Sequence, residues 1–300
     1  VTVVEVGPRD GLQNEAAEVP TAAKIAFIDA LSTAGLPVLE VSAFVNPARV
    51  PQLADAEGVC HGIRRRPGTR YTALVPNLRG LDRARTAHLS DVAIFAAASE
   101  TFSRRNINQS IDDSLVAYRA VAAAARAASI GVRAYLSTAF GCPFEGDVPI
   151  SRVVDLTRAL LDLGASAVAV SDTIGIAHPG QVRRVLDLLV PAVGVEQVAL
   201  HFLDTRGTAL ANVLAALDFG VSTFDASAGG LGGCPFAPGA SGNLATEDLI
   251  YLLDGLGIET GVSLDGVVAA SRALAPAIGH PLPSRYLQAS ATSAAGRHGA

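Results

Sequence analysis

The sequence is short of cysteine, of charge and of long apolar runs, and each shortage argues against a class of protein. Three cysteines, Cys60, Cys142 and Cys234, cannot all pair, and none stands in a Cys-x-x-Cys spacing. That speaks against a disulfide framework and a structural zinc site, and for a reducing, cytoplasmic compartment. Only 17% of the 300 residues are charged, against 50% hydrophobic, so a large core is expected and disorder is not. No apolar run reaches the ~18 residues that a membrane span needs. The formal net charge is −5, and Arg64, Arg65 and Arg66 are the one dense basic cluster, best read as a solvated helix end. No nucleic-acid surface and no membrane partner are expected.

What the chain has is alternation. Short β-rich runs lie near Thr2–Val6, Val38–Ser42, Tyr71–Val75, Asp91–Ala96, Val132–Thr138, Ala167–Ser171, Gln197–Phe202 and Ser222–Ala226. Helical patterns fall between them, near Thr21–Ala34, 50–66, Leu78–His88, Asp112–Ser129, Ser151–Leu163, Gly180–Val190 and Gly207–Phe219. Two more follow the last strand, near Thr246–Leu256 and Leu264–Ile278. Strict alternation predicts an α/β fold, a closed (β/α)8 TIM barrel with extra C-terminal helices; a doubly wound open sheet is the runner-up. Near-continuous apolar strands fit burial on both faces. Residues 1–284 form one domain in this reading, and 285–300 form a poorly ordered tail.

In such a barrel the site lies at the C-terminal ends of the strands. Gly7-Pro8 stops the first strand and is followed at once by Arg9 and Asp10. Later strand ends deliver Glu40 or Ser42, Asn77, Asp172 with Thr173, and His201 with Asp204. The eighth strand runs into Gly229-Gly-Leu-Gly-Gly-Cys234-Pro-Phe-Ala-Pro-Gly-Ala-Ser-Gly-Asn243, whose glycines permit close backbone approach and suit a lid or an anion cradle. Gly141-Cys142-Pro143-Phe144 repeats the Gly-Cys-Pro-Phe pattern, so spacing alone divides a thiol's role between Cys234 and Cys142. A binding protein can gather polar groups in this way, but carboxylates, Arg, His and thiol together read as chemistry.

Val6-Gly-Pro-Arg-Asp-Gly-Leu-Gln-Asn-Glu15 and the glycine-rich loop closely resemble the 3-hydroxy-3-methylglutaryl-CoA lyases, metal-dependent barrel enzymes of a lyase and Claisen-synthase superfamily. Ser171-Asp-Thr-Ile-Gly175, Asn106-Ile-Asn-Gln-Ser110 and Ala240-Ser-Gly-Asn-Leu-Ala-Thr-Glu-Asp248 extend the likeness, which runs from Val1 to about Gly261. The resemblance implies retro-Claisen cleavage of an acyl-CoA to acetyl-CoA and acetoacetate, a divalent cation (Mg²⁺ or Mn²⁺) and a homodimer. It implies Asp10, His201 and Asn243 as metal ligands and Cys234 as the catalytic thiol. Arg9 is placed for the enolate oxygen, Asp172 is the candidate base or relay, Glu40 orients Arg9, and Asn106 meets the CoA moiety.

The chain departs from that family in two places. The strand-seven motif of the family reads His-x-His-Asp-Thr, whereas this chain reads His201-Phe-Leu203-Asp-Thr205. Positions 201 and 203 share a face, so Leu203 points where a second imidazole ligand is expected. A further change sets Ala16 where many relatives carry Lys, and weakens contact with the CoA phosphates. The alternatives are a lyase or synthase for another acyl-CoA, and a catalytically weak homologue that binds acyl-CoA without turnover.

Overall fold

The structure is a computed structural model that describes the backbone over residues 1–233 and 242–295, and side chains as far as residue 290. Eight parallel strands close into a barrel in sequence order. They are β1 (Thr2–Glu5), β2 (Val38–Ala43), β3 (Arg70–Leu74), β4 (Asp91–Ala97), β5 (Gly131–Ser137), β6 (Val168–Asp172), β7 (Val198–Phe202) and β8 (Thr223–Ala226). Closure is made by β1, which pairs with β2 through Val4↔Val38 and with β8 through Val4↔Asp225. Strands β2, β6 and β7 are buried along their whole length, as strands sandwiched between a lumen and a helical jacket must be.

The jacket is α1 (Thr21–Thr33), α2 (Ala56–Gly62), α3 (Leu78–Thr86), α4 (Glu100–Ile107), α5 (Ile111–Ala127), α6 (Ile150–Asp162), α7 (Pro179–Val193) and α8 (Ala209–Leu217). Then come α9 (Thr246–Gly255), α10 (Leu264–Ile278) and α11 (Arg285–Ala295). The main core lies between barrel and jacket, and a second cluster fills the lumen with Ala43, Leu74, Ala93, Tyr135, Ala169 and Ala199. The alanines leave room in the lumen, and larger polar side chains occupy it.

Three local outcomes differ from the pattern-based expectations. The helix expected over 50–66 is shorter, a 3₁₀ turn at Pro51–Leu53 followed by α2. Helix α4 lies where no helix was expected, capped by Ser99, whose hydroxyl accepts the Phe102 N–H. Little order was expected after Ser284, yet α11 begins at Arg285. Its start is held by a distant side chain: Asp248 accepts the Ser284 hydroxyl at 2.9 Å and the N–H groups of Arg285 and Tyr286 at 3.1 and 2.8 Å. A carboxylate at a helix N-terminus satisfies otherwise orphaned donors. Among the described residues no helix is long and apolar enough to cross a membrane.

Candidate active site

The chain leaves β1 in a single tight turn over Gly7–Gly11, with Pro8 in its first positions. The N–H groups of Arg9, Asp10 and Gly11 all point to Val6 O, at 3.1, 2.7 and 3.1 Å. This turn lifts Arg9 and Asp10 over the barrel mouth. Arg9 donates Nε to Glu40 Oε2 and Nη1 to Asp10 Oδ1, each at 2.6 Å. Glu40, in β2, is fully buried, and its other oxygen has no hydrogen-bond partner.

Glu40 Oε2 also accepts the Tyr135 hydroxyl at 3.1 Å. Arg133, two residues earlier in β5, reaches Tyr135 Oη at 3.1 Å and grips Asp225 of β8 through both terminal nitrogens, at 2.5 and 3.3 Å. Asp225 Oδ2 in turn lies 3.2 Å from His201 Nδ1. His201 Nε2 faces Asp10 Oδ2 at 3.9 Å, which brings the chain of contacts back to its start. Two guanidinium groups therefore meet three carboxylates in the lumen, leaving a deficit of positive charge at the mouth.

The electrostatic consequences follow from burial and pairing. Burial would raise the Asp10 carboxyl, but Arg9, His201 and the Asn243 hydrogen bond hold it below the usual carboxylate range. Asp225 is held low in the same way, by Arg133 and His201 against burial. For Glu40 burial wins over Arg9, and its carboxyl is raised. Burial would lower the His201 imidazole, yet its bond to Asp225 and the charge of Asp10 raise it.

Asn243 arrives from the far leg of the glycine-rich loop. Its Nδ2 donates to Asp10 Oδ2 at 2.9 Å and to Leu231 O at 3.0 Å, while its buried Oδ1 has no partner. The two legs of the loop approach so closely that a Cβ on Gly242 would collide with Gly230 O, and one on Gly232 (φ +123°) with Asn243 Nδ2. Leu203, 4% exposed, pairs by its backbone with Asn243.

Asp10, His201, Asn243, Arg9 and Glu40 are thus brought together. Asp172, at the end of β6, is buried, and its two oxygens accept the N–H groups of Ile176 and Ala177, both at 3.0 Å. Burial raises its carboxyl even so. Asn106 sits half-buried on α4, the helix that follows β4. Cys142 is buried, with its thiol 2.9 Å from the Ser99 hydroxyl. Cys234 lies outside the described residues.

Sequence reasoning missed Arg133, Tyr135 and Asp225. The available signal was a charged residue inside an otherwise apolar strand, Gly-Val-Arg-Ala-Tyr-Leu-Ser and Thr-Phe-Asp-Ala. Such a residue survives in a strand only where it is paired.

Comparison with known proteins agrees with this fold. The profile of the HMGL-like family matches residues 1–274. Hydroxymethylglutaryl-CoA lyase YngG of Bacillus subtilis (strain 168) is 50% identical over 288 residues, 96% of either chain. The mitochondrial hydroxymethylglutaryl-CoA lyase of Rattus norvegicus is 50% identical over 289 residues, 96% of this chain and 89% of the relative. The crystal structure of the Bacillus subtilis HMG-CoA lyase superimposes with a TM-score of 0.95, covering 96% of this chain and 97% of that one at 50% identity. An HMG-CoA lyase from Acinetobacter baumannii, solved with coenzyme A and 3-methylmalate, gives 0.92 at 40% identity, covering 96% and 94%. With its barrel and nearly its whole length matched, the chain belongs to the HMGL-like family, that of the hydroxymethylglutaryl-CoA lyases, which are carbon–carbon lyases.

Proposed function

We propose that this chain cleaves 3-hydroxy-3-methylglutaryl-CoA to acetyl-CoA and acetoacetate in a divalent-cation-dependent retro-Claisen reaction. The observation that carries the reading is the convergence of Asp10, His201 and Asn243 beside Arg9 at the barrel mouth, in a chain half identical to lyases of that name.

The donors suit a cation. Among the described residues no three His, Cys, Asp or Glu side chains form a metal cage, and the proposed third donor is the Asn243 amide oxygen. That oxygen is buried and unpartnered. His201 has Nδ1 engaged by Asp225, the carboxylate–imidazole arrangement that leaves Nε2 for a metal. A carboxylate, an amide oxygen and one imidazole suit Mg²⁺ or Mn²⁺, which accept water in the remaining positions. When bound, such a cation supplies Lewis acidity to the substrate's hydroxyl and carbonyl oxygens.

The residues divide the remaining work. The tertiary hydroxyl gives up its proton, for which Asp172 is the proposed base or relay. The C2–C3 bond then breaks, its electron pair becoming the enolate of acetyl-CoA while the hydroxyl carbon becomes the ketone of acetoacetate. Arg9, fixed by Glu40 and Asp10, keeps donors in hand for the enolate oxygen, and preorganised donors of this kind are commonly the largest catalytic contribution. Cys234 is the proposed donor of the proton that completes acetyl-CoA. Asn106 is proposed to meet the CoA moiety. A reducing, cytoplasmic setting belongs to this reading and is supported by the unpaired, buried thiols of Cys60 and Cys142.

Leu203 favours one second reading, a homologue that holds the cation weakly and binds acyl-CoA without turnover. The two readings separate on turnover itself, and within the first Arg9 is the residue to test. Arg9→Gln lowers kcat by about 10²–10³ and leaves KM within a few-fold if Arg9 stabilises the enolate. A loss confined to KM would place Arg9 in ground-state binding instead.

A further inference from the structure

Glu5 ends β1 with its side chain fully buried, and the chemistry above makes no use of it. Its Oε1 accepts the N–H of Gly7 at 2.7 Å and that of Ala228 at 2.9 Å. Its Oε2 accepts the Thr246 hydroxyl at 2.6 Å. The three donors belong to three separate segments. Gly7 opens the turn that carries Asp10, Ala228 lies on the leg that carries Leu231, and Thr246 follows the leg that carries Asn243.

Those same segments meet again at the barrel mouth, where Asn243 Nδ2 donates to both Asp10 Oδ2 and Leu231 O. In every segment the group tied to Glu5 is three residues from the group in that second junction. One carboxylate below therefore fixes the relative placement of the partners above. We propose that Glu5 is a positioning residue for the cation site, holding Asp10 and Asn243 at the separation that lets both bind one ion.

A carboxylate in this place is costly as mere filler. Burying it without partners would be prohibitive, and an apolar side chain would pack there more cheaply. Glu5 is retained with a full set of donors, all drawn from the segments that frame the site. Burial pushes its carboxyl up to about 7, against the lowering effect of the Thr246, Ala228 and Gly7 donors and with a further push from Glu247. What the three segments require is thus a hydrogen-bonding group of the right reach: a neutral amide of equal length keeps both N–H bonds on its oxygen, while its NH2 donates to the Thr246 hydroxyl.

The inference rests on the cation reading given above. It is tested by Mn²⁺ titration of the full chain, followed by electron paramagnetic resonance, with thermal melts in parallel. The parent binds Mn²⁺ at one site that Asp10→Asn abolishes. Glu5→Gln keeps the acceptor and the reach, and binds within about threefold of the parent. Glu5→Asp, one methylene short, and Thr246→Val, which removes a single tie, each weaken binding about tenfold, the scale of losses when a ligand's support is removed. The melting temperature of Thr246→Val falls by only about 2–4 °C, so poor folding does not account for the loss. Equal affinity in the parent, Glu5→Asp and Thr246→Val would overturn the positioning role while leaving the cation site standing. A parent that binds no Mn²⁺ would overturn the cation site, and the role of Glu5 in it.

Discussion

Leu203 gives the proposed cation site its particular character. With a leucine beside Asn243, the proposed ligand set is one imidazole, one carboxylate and one amide oxygen, which water or substrate would have to complete. Imidazole count is what favours the later transition metals, so this set leans toward Mg²⁺ and Mn²⁺. The single imidazole then depends heavily on its support. Asp225 bonds His201 Nδ1 and is itself clamped by Arg133. Asp225→Asn is expected to lower Mn²⁺ affinity about 10–100-fold, as read by calorimetric titration. The unpaired Arg133 guanidinium is expected to cost about 3–5 kcal/mol of stability by denaturant unfolding. Unchanged affinity would mean that His201 is held by packing alone. Arg9 and Asp10 were legible because polar residues just past the end of an apolar strand stand out in any barrel, His201 because it sits near the end of one, and Asn243 only through the resemblance of the glycine-rich loop. Arg133, Tyr135 and Asp225 were not, because their pairing spans the lumen. It exists only once β5 and β8 face each other across a closed sheet.

At the scale of elements, the strands were readable because each is a short apolar run bounded by turn residues. The helices that escaped are those whose reasons are not local. Helix α4 is eight residues long and leans on its Ser99 cap, too brief for periodicity to show. Helix α11 starts where Asp248, 37 residues before Arg285, reaches over to take its first N–H groups. The Tyr286 ring packs on Tyr251 of α9 at 5.2 Å, and Leu287 is buried. Asp248→Ala is therefore expected to release α11 first, at a cost of about 1–2 kcal/mol for a lost cap. Hydrogen exchange checks this: protection falls over α11 and persists in the barrel strands. Protection unchanged over α11 would show that ring packing, and not the carboxylate, holds it.

For the whole molecule, buried carboxyls raised by burial, Glu5 and Glu247 together with Glu40 and Asp172, set a pH dependence opposite to ordinary acid denaturation. Burial pushes Glu5 and Glu247 from 4.5 up to about 7, against the lowering effect of the Thr246 and Ser271 hydroxyl bonds. Between those values the folded chain binds more protons than the unfolded one. Their contribution is full below the unfolded value and is lost as pH rises through the folded one. The urea midpoint is expected to fall between about pH 5 and pH 8, and Glu247→Gln to flatten that slope. A parent midpoint that rises over this window would refute the assignment. Asp10 and Asp225, held low, act in the other direction but only below the ordinary carboxylate range.

The barrel follows from alternation in the sequence, the mouth from its strand ends, and the chemistry from the groups gathered there. The most direct test is cleavage of 3-hydroxy-3-methylglutaryl-CoA by the metal-stripped chain, with and without added Mg²⁺ or Mn²⁺, beside Leu203→His. Acetyl-CoA and acetoacetate should form only with the cation, and Leu203→His should accelerate their release by about 10², or 2.7 kcal/mol of barrier. Thioester binding without cleavage in both proteins would contradict the account and leave a barrel that holds acyl-CoA but does not break it.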